Sequence, residues 1–337
     1  MEAYVNDNRY HLTLEEDLET LYNNKMAAFW RAHATPCDFD GVDGIRIAAM
    51  RFVRPASNIG LVISSGRTES LIKYKELIYD LWNQGFSVYI HDHRGQGLSG
   101  RILPNEPKKG HVRDFADYVA DLKTFVDTVV KPAGHGHLVM LAHSMGGAVA
   151  SLYLEQHRGD FCAAVLSSPM HEPNTGRISD ELACKVLDLN QWLKSPERYA
   201  PGKGAYDETE SFDDDNGLTH SEIRHAIARQ EYARHEQAKL GGPSVGWVIQ
   251  ACEASRQARR EADLIEVPVL VIQAGADKVV TPEGQREFFT TMNHARPGSC
   301  RLELIPGAYH ELFIESDEFR LPALTKALNF IQKACKS

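Results

Sequence analysis

Short apolar runs alternate with amphipathic stretches along most of the chain. The runs are apolar at nearly every position, which is typical of strands buried on both faces of a parallel sheet. The stretches between them carry apolar residues at helical spacing and predict helices that cover the sheet. The pattern therefore predicts an α/β fold with its active site at the carboxyl ends of the strands. The predicted strands are 59–64, 86–91, 137–142, 163–167, 268–274 and 301–305, and the predicted helices are 72–84, 112–130, 145–157, 282–293 and 321–333.

Two elements precede this alternation. Apolar residues at helical spacing over 13–33 predict an N-terminal helix, and Thr13 and Glu16 stand at the spacing of a capping box. The segment 37–53 holds two short runs on either side of Asp43 and Gly44, which is typical of a β-hairpin.

The alternation stops over 171–267, where helical patterns and polar loops replace the strands. We interpret this stretch as a helical cap or lid inserted into an α/β core formed by 1–170 and 268–337. Its apolar residues either pack helices together or form a lid over the site with some surface exposed to lipid. Those at helical spacing are Ile178, Leu182, Val186, Leu189 and Leu193, with Trp192 beside them and Trp247 further along.

Composition and charge narrow the setting. The chain has 337 residues, 43% of them hydrophobic, and a net charge of −9, so nucleic acid is disfavoured as a partner and any membrane contact must be local. The N-terminus lacks a basic region followed by an apolar stretch, and no run approaches the ~20 apolar residues that span a bilayer. The six cysteines include no C-x-x-C pair and suggest neither zinc nor a disulfide framework. We therefore expect a cytoplasmic protein.

The strongest chemical signal is the motif A-H-S-M-G at 142–146. It follows a predicted buried strand and opens a predicted helix, so Ser144 is expected on a sharp strand-to-helix turn. Small residues are needed two positions on either side of such a serine, and Ala142 replaces the usual leading glycine with one extra methyl group. The placement predicts that Ser144 is a nucleophile, although a serine in an ordinary loop has the same local sequence.

Two further residues complete the prediction. A serine hydroxyl needs a base to activate it and a carboxylate to orient that base. Asp277 follows the predicted strand 268–274, and His310 follows the predicted strand 301–305. This order of serine, acid and histidine is that of α/β hydrolases, so we expect Ser144, Asp277 and His310 to form a catalytic triad.

Ester cleavage also needs donors for the developing oxyanion. The backbone N–H of Met145, at the start of the helix, is one candidate. The backbone N–H of Arg67, in the loop after strand 59–64, is the second, and a plain turn is the alternative there.

No cofactor or metal is expected. The sequence 95–100 matches G-x-G-x-x-G, but prolines and glycines interrupt the helix that a nucleotide site would require. His91 and His93 point the same way on a strand without a third ligand nearby, which favours packing. The six acidic residues of 207–216 lack the final glutamate of a calcium loop, so a solvated loop is favoured.

With these motifs, the chain resembles the serine hydrolases of the α/β-hydrolase fold, in the branch that contains monoacylglycerol lipases and bacterial inner-membrane lysophospholipases. The second group looks more similar, since Ser65 and Ala142 stand where monoacylglycerol lipases usually carry histidine and glycine. The resemblance rests on F-D-G-V-D-G at 39–44, G-R-T-E-S at 66–70, D-H-R-G-Q-G at 92–97, H-S-M-G-G at 143–147 and G-G-P at 241–243.

The resemblance implies a mostly parallel eight-stranded sheet with a helical cap, the triad and the two oxyanion donors above, and no cofactor. It implies hydrolysis of the acyl ester of a lysophospholipid, with possible peripheral contact at the cytoplasmic face of the inner membrane. A monoacylglycerol lipase or carboxylesterase, a lipid acyltransferase with the same triad, and a non-catalytic lipid-binding protein stay open as alternatives. Candidate substrate-binding residues are Arg94, Arg101, Trp192 and Trp247.

Overall fold

The predicted strands assemble into one eight-stranded sheet. A computed structural model describes residues 8–174, 195–209 and 211–336 of the chain. The strands are β1 (Thr35–Pro36), β2 (Phe39–Asp40), β3 (Arg46–Ile47), β4 (Ala49–Phe52), β5 (Ile59–Ser64), β6 (Ser87–His91), β7 (His137–His143), β8 (Ala163–Ser167), β9 (Val269–Ala274) and β10 (Cys300–Ile305). The sheet has the order β1-β4-β6-β5-β7-β8-β9-β10, with β5 to β10 mutually parallel and β1 and β4 antiparallel at one edge.

Helices cover both faces of this sheet, which confirms the α/β class. The helices are α1 (Glu15–Leu21), α2 (Ala27–His33), α3 (Lys75–Asn83), α4 (Ala116–Phe125), α5 (Met145–Gln156), α6 (Glu222–Arg234), α7 (Val245–Arg260), α8 (Pro282–Ala295) and α9 (Asp317–Ala334). Along β5, Val62 points into the layer of α4, α5, α7 and α8, whereas Leu61 and Ile63 point into the layer of α3 and α9. The strands β5 to β9 bury both faces, which explains their apolar sequences.

The N-terminal helix forms, but not with the predicted cap. It consists of α1 and α2 joined by one π-helical turn over Tyr22–Met26. The Thr13 hydroxyl donates to Asp80 Oδ1 at 2.7 Å, and the Glu15 N–H donates to Asp317 Oδ2 at 2.8 Å. The capping box of Thr13 and Glu16 is therefore wrong, because carboxylates distant in sequence take the place of the local partner.

The predicted hairpin is confirmed. Strands β2 and β3 pair antiparallel, with Phe39 opposite Ile47. The turn between them places Asp43 at φ 59° and Gly44 at φ 71°, a left-handed conformation that aspartate and glycine tolerate better than most residues.

The predicted insertion contributes to both the core and the periphery. Trp247, Ala251 and Ala258 of α7 belong to the buried cluster on one face of the sheet. Helix α6 instead packs Ile223 and Ile227 against the N-terminal helix. That 171–267 as a whole forms a cap over the site stays a prediction. The predicted helix around Trp192 lies outside the described residues, and none of the helices within the described ranges is long and apolar enough to cross a bilayer.

The cysteines depart in one respect from the sequence-based expectation. Cys37, Cys162, Cys300 and Cys335 are free thiols. Cys252 is disulfide-bonded, which the spacing of the cysteines does not predict.

A buried acid on α5 generates a stability prediction. Glu155 is only 5% exposed, and neither of its carboxylate oxygens finds a hydrogen-bond partner among the described residues. Burial, reinforced by the negative charges of Glu261 and Asp263, raises the pKa of Glu155 from 4.5 to about 9. The folded protein thus keeps a proton that the unfolded chain releases above its ordinary pKa, so this residue lowers stability as pH rises from about 4.5 to 9.

We expect Glu155→Gln to raise the melting temperature at pH 8 by several degrees and to change it little at pH 4.5. Thermal unfolding at the two pH values measures this, with the exposed Glu253→Gln as the matched control. An unchanged or lower melting temperature of Glu155→Gln at pH 8 contradicts the assignment.

Candidate active site

Ser144 lies on a strained turn between β7 and α5. Its backbone has φ 50° and ψ −120°, a region that non-glycine residues rarely adopt. The turn is tight because α5 starts against the end of β5: a Cβ on Gly146 would lie 2.2 Å from the carbonyl oxygen of Ser64. Ala142 is 1% exposed, so the sheet accommodates its extra methyl group.

The three predicted triad residues lie together. His310 Nε2 is 2.8 Å from Ser144 Oγ, and His310 Nδ1 is 2.7 Å from Asp277 Oδ2. Asp277 follows β9 and His310 follows β10, and these neighbouring strands end at the same edge of the sheet. Ser144 and His310 are buried, with exposures of 7% and 3%.

The electrostatics keep Asp277 ionised. Burial opposes the charge, but His310 and the backbone N–H groups of Val279 and Val280 outweigh it and lower the pKa of Asp277. These N–H groups donate to Asp277 Oδ1 at 2.8 and 3.0 Å, which leaves Oδ2 to accept from His310 Nδ1. With its hydrogen on Nδ1, His310 offers the lone pair of Nε2 to the Ser144 hydroxyl, as a general base requires.

The two predicted oxyanion donors, Arg67 and Met145, follow the neighbouring strands β5 and β7. Ser64 pairs with Ala142 in the parallel register, so the residues that follow both strands emerge side by side. The Glu69 carboxylate accepts the Gly66 N–H, and Gln96 Nε2 donates to the Gly66 oxygen at 2.8 Å. No described residue accepts a hydrogen bond from the backbone N–H of Met145 or Arg67. Both remain candidate oxyanion donors.

Arg94 does not serve the predicted substrate-binding role. Its guanidinium is 1% exposed and donates to both carboxylate oxygens of Asp121 at 2.6 Å, and to Asp117 at 3.0 Å. A guanidinium that is buried and already paired with two carboxylates is not accessible to a lipid phosphate. Arg94 therefore ties its loop to α4, and the prediction is wrong.

The other predicted substrate-binding residues are Arg101, Trp247 and Trp192. Arg101 donates to the backbone oxygens of Ser99, Gly97 and Gln237 in a groove that contains no triad residue, so we do not place it at the site. Trp247 is buried in the core, and the Arg67 guanidinium lies over its ring, 5.4 Å from the ring centroid. The indole N–H of Trp247 donates to the Tyr118 hydroxyl. Trp192 lies outside the described residues.

The glycine-rich sequence 95–100 has a structural explanation. A Cβ on Gly97 would lie 2.1 Å from Asp92 Oδ2, so the loop makes room for this buried carboxylate. Asp92 accepts hydrogen bonds from the Ser70 hydroxyl and from the Leu71 and Leu98 N–H groups. Within the described ranges, His, Cys, Asp and Glu form no cluster suited to a metal ion.

The loop that follows β5, residues 65–70, is called the oxyanion loop because it carries the candidate donor Arg67, and beside it lies a cavity of about 280 Å³. Helix α6 forms one wall, and the Tyr232 hydroxyl on it donates to the Thr68 carbonyl at 3.0 Å. Arg67 and Glu311 also line the cavity, and Glu311 is next to His310 in sequence. The cavity therefore joins the predicted cap region to both loops of the site.

The sequence patterns also fail to indicate a group of buried charged residues next to the triad. The one local signal is the i,i+4 spacing of Glu69 and Lys73, which is typical of a helical ion pair. Its other members come from distant parts of the chain. The group comprises Glu69, Lys73, His143 and Glu311.

Comparison with known proteins agrees with this geometry. Residues 57–317 match the family described as Serine aminopeptidase, S33. Lysophospholipase L2 of Escherichia coli K12 is 36% identical over 315 residues, covering 91% of this chain and 90% of that protein. A probable lysophospholipase L2 of Haemophilus influenzae is 32% identical, covering 86% and 90%. A soluble variant of the Saccharomyces cerevisiae monoglyceride lipase, solved with a substrate analog, has a TM-score of 0.69 at 19% identity, covering 89% and 94%, and shows the shared fold.

The contact at Gly146 yields a prediction. An added methyl group would meet backbone oxygens of Ser64 and Ser65 at 2.2 and 2.5 Å, so Gly146→Ala must push α5 away from β5. We expect activity on a short ester to fall at least 100-fold, since small displacements of a nucleophile have effects of about this size.

The matched control is Gly204→Ala, where nothing lies within 4 Å of the added carbon. Ester hydrolysis and circular dichroism of both variants measure the effect. Full activity in Gly146→Ala means that the tight turn does not position Ser144.

Proposed function

The chain belongs to the Serine aminopeptidase, S33 family of α/β hydrolases, and from this premise we propose that it is a lysophospholipase. It cleaves the fatty-acyl ester of a lysophospholipid through an acyl-enzyme intermediate. The observation that carries the proposal is the continuous hydrogen-bond chain from Ser144 through His310 to Asp277. The names of the two lysophospholipase relatives support the substrate class.

The first half-reaction forms the acyl-enzyme. Ser144 Oγ attacks the ester carbonyl carbon while His310 Nε2 takes the hydroxyl proton, and Asp277 stabilises the resulting imidazolium. The carbonyl oxygen becomes an oxyanion that accepts hydrogen bonds from the N–H groups of Met145 and Arg67. The bond to the glycerol oxygen then breaks, and His310 gives its proton to the departing glycerophosphodiester.

The second half-reaction releases the fatty acid. His310 Nε2 takes a proton from water, whose oxygen attacks the acyl carbon of Ser144. The bond to Ser144 Oγ breaks, and the serine recovers its proton from His310. If a lipid alcohol replaced water in this step, the same residues would transfer the acyl chain instead.

The cap region suits a long acyl chain. Each buried methylene contributes about 0.8 kcal/mol to binding, so an apolar enclosure selects long chains over short ones. The apolar residues at helical spacing between 178 and 193 support such an enclosure.

We propose that the enzyme works in the cytoplasm and meets its lipid substrate by peripheral contact with the inner membrane. Co-sedimentation with phospholipid vesicles tests this contact.

The function is tested by products. We expect Ser144→Ala to abolish release of fatty acid from lysophosphatidylethanolamine while leaving the melting temperature within a few degrees of the parent. The matched control is the exposed Ser211→Ala, which should keep full activity. Retention of activity in Ser144→Ala contradicts the triad assignment.

The same assay separates the alternatives. Faster hydrolysis of monoacylglycerol than of lysophospholipid would favour a monoacylglycerol lipase. Acylated acceptor formed in the presence of a lipid alcohol would reveal a transferase. If no ester gives a product, the remaining interpretation is a non-catalytic lipid-binding protein.

A further prediction concerns the cap. The test variant carries Ile178→Gln, Leu182→Gln, Leu189→Gln and Trp192→Gln. We expect it to keep its activity on a two-carbon ester and to lose at least 90% of its activity on a long-chain lysophospholipid. The loss is expected to be this large because the binding energy of about three buried methylenes already amounts to a ~50-fold effect.

The control replaces three charged residues of the same segment, Asp180, Glu181 and Lys185, by Gln. Rates on the two-carbon ester and the long-chain lysophospholipid are compared for both variants. Equal losses on the two substrates in the apolar variant contradict an acyl-binding cap.

A further inference from the structure

His143 is a buried histidine directly before Ser144, and both of its ring nitrogens face acceptors. Nδ1 lies 3.1 Å from Glu69 Oε2, and Nε2 lies 3.3 Å from the backbone oxygen of His310. A neutral imidazole carries one N–H and could donate only one of these bonds. The two bonds together require a protonated ring.

The partner of His143 is ionised. Burial opposes a charge on Glu69, but the positive charges of His143 and Lys73 outweigh it and hold the pKa of Glu69 well below its usual value. Burial likewise disfavours a charged His143, whereas the Glu69 carboxylate raises the pKa of His143. The same carboxylate accepts the Gly66 N–H and the Tyr74 hydroxyl, so its oxygens are well supplied with donors.

Lys73 extends this pair to the loop of the triad histidine. Its Nζ lies 3.1 Å from Glu69 Oε1 and 2.6 Å from Glu311 Oε1. The side chains of the four charged residues are at most 11% exposed, the most accessible being that of Glu311. Buried charges persist only when they are paired, and here two carboxylates balance one ammonium and one imidazolium.

We propose that His143, in its protonated form, is a positioning residue that ties the His310 loop to the oxyanion loop through Glu69 and places a positive charge beside His310. The ring centroids of His143 and His310 are 4.9 Å apart. This role rests on the proposed hydrolase function, since it concerns the base of that reaction.

The groups that face His310 come from several elements. Asp277 lies on the loop after β9, and Ser144 and His143 lie at the end of β7. The N–H of His310 donates to the oxygen of Gly217, close to Asp215, which pairs with Lys278. Glu311 is engaged by Lys73.

A positively charged His143 and the Asp277 carboxylate therefore have opposite effects on a positive charge at His310. The Asp277 carboxylate favours a charge on His310, whereas a second positive charge nearby disfavours it. Loss of the His143 charge removes this repulsion, so the enzyme should lose activity at a higher pH as the solution is acidified.

The kinetic test is His143→Gln, which keeps an amide donor for Glu69 but carries no charge. We expect the acid limb of kcat/KM on a soluble short ester to move up by about one pH unit, with KM little changed. The exposed His294→Gln is the matched control and should not move the limb. If His143→Gln lowers kcat equally at every pH and leaves the limb in place, the role is merely structural and the proposal is overturned.

A second measurement needs no folded His143 variant. In protein labelled with ¹⁵N-histidine, NMR should show His143 with hydrogen on both ring nitrogens at pH 7, and with one in Glu69→Gln. A neutral His143 ring in the parent protein overturns the proposal even if Ser144→Ala proves the hydrolase function. A protonated His143 in a chain that hydrolyses no ester would refute the proposed function alone.

Discussion

The backbone of Gly146 lies against the carbonyl oxygens of Ser64 and Ser65, and the position of Ser144 depends on this contact. A side chain at this position would separate α5 from β5, and the serine would move with the helix. The closeness also accounts for the positive φ of Ser144, because the chain must reverse from strand to helix within one residue. Strain of this kind persists only where the surrounding packing enforces it, and here a strand buried on both faces and a helix with two glycines in its first turn do so.

Around that turn, the chemistry comes from loops that would otherwise be independent. Asp277 and His310 follow β9 and β10, whereas the oxyanion loop follows β5. The sheet brings their starting points to one edge, but the loops themselves are joined by side chains. Glu69 holds the oxyanion loop through Gly66 and connects through Lys73 to Glu311. A buried ionic group of this kind adds little net stability, so its value lies in fixing geometry.

Much of this arrangement can be predicted from the sequence where one local rule dominates. Strands β5 and β8 occur at the predicted residues because both faces of each strand are apolar, and Asp277 and His310 are found by their place after strands. Predictions fail where a residue that is distant in sequence determines which contact a side chain makes. The Thr13 hydroxyl donates to Asp80 instead of capping its own helix, and Arg94 forms an ion pair with Asp121 on α4 instead of facing a ligand. Nothing in the spacing of His143 and Glu69 signals that they meet, since 74 positions separate them.

The central claim is that Ser144 carries the acyl group between the two half-reactions, and trapping that intermediate tests it most directly. Enzyme mixed with a lysophospholipid of known chain length is quenched with acid within milliseconds, digested, and analysed by mass spectrometry. The account predicts one fatty-acyl group, of the mass of the substrate chain, on the peptide containing Ser144. An acyl group on a different residue, or fatty acid released with no adduct at any time before steady state, would contradict it.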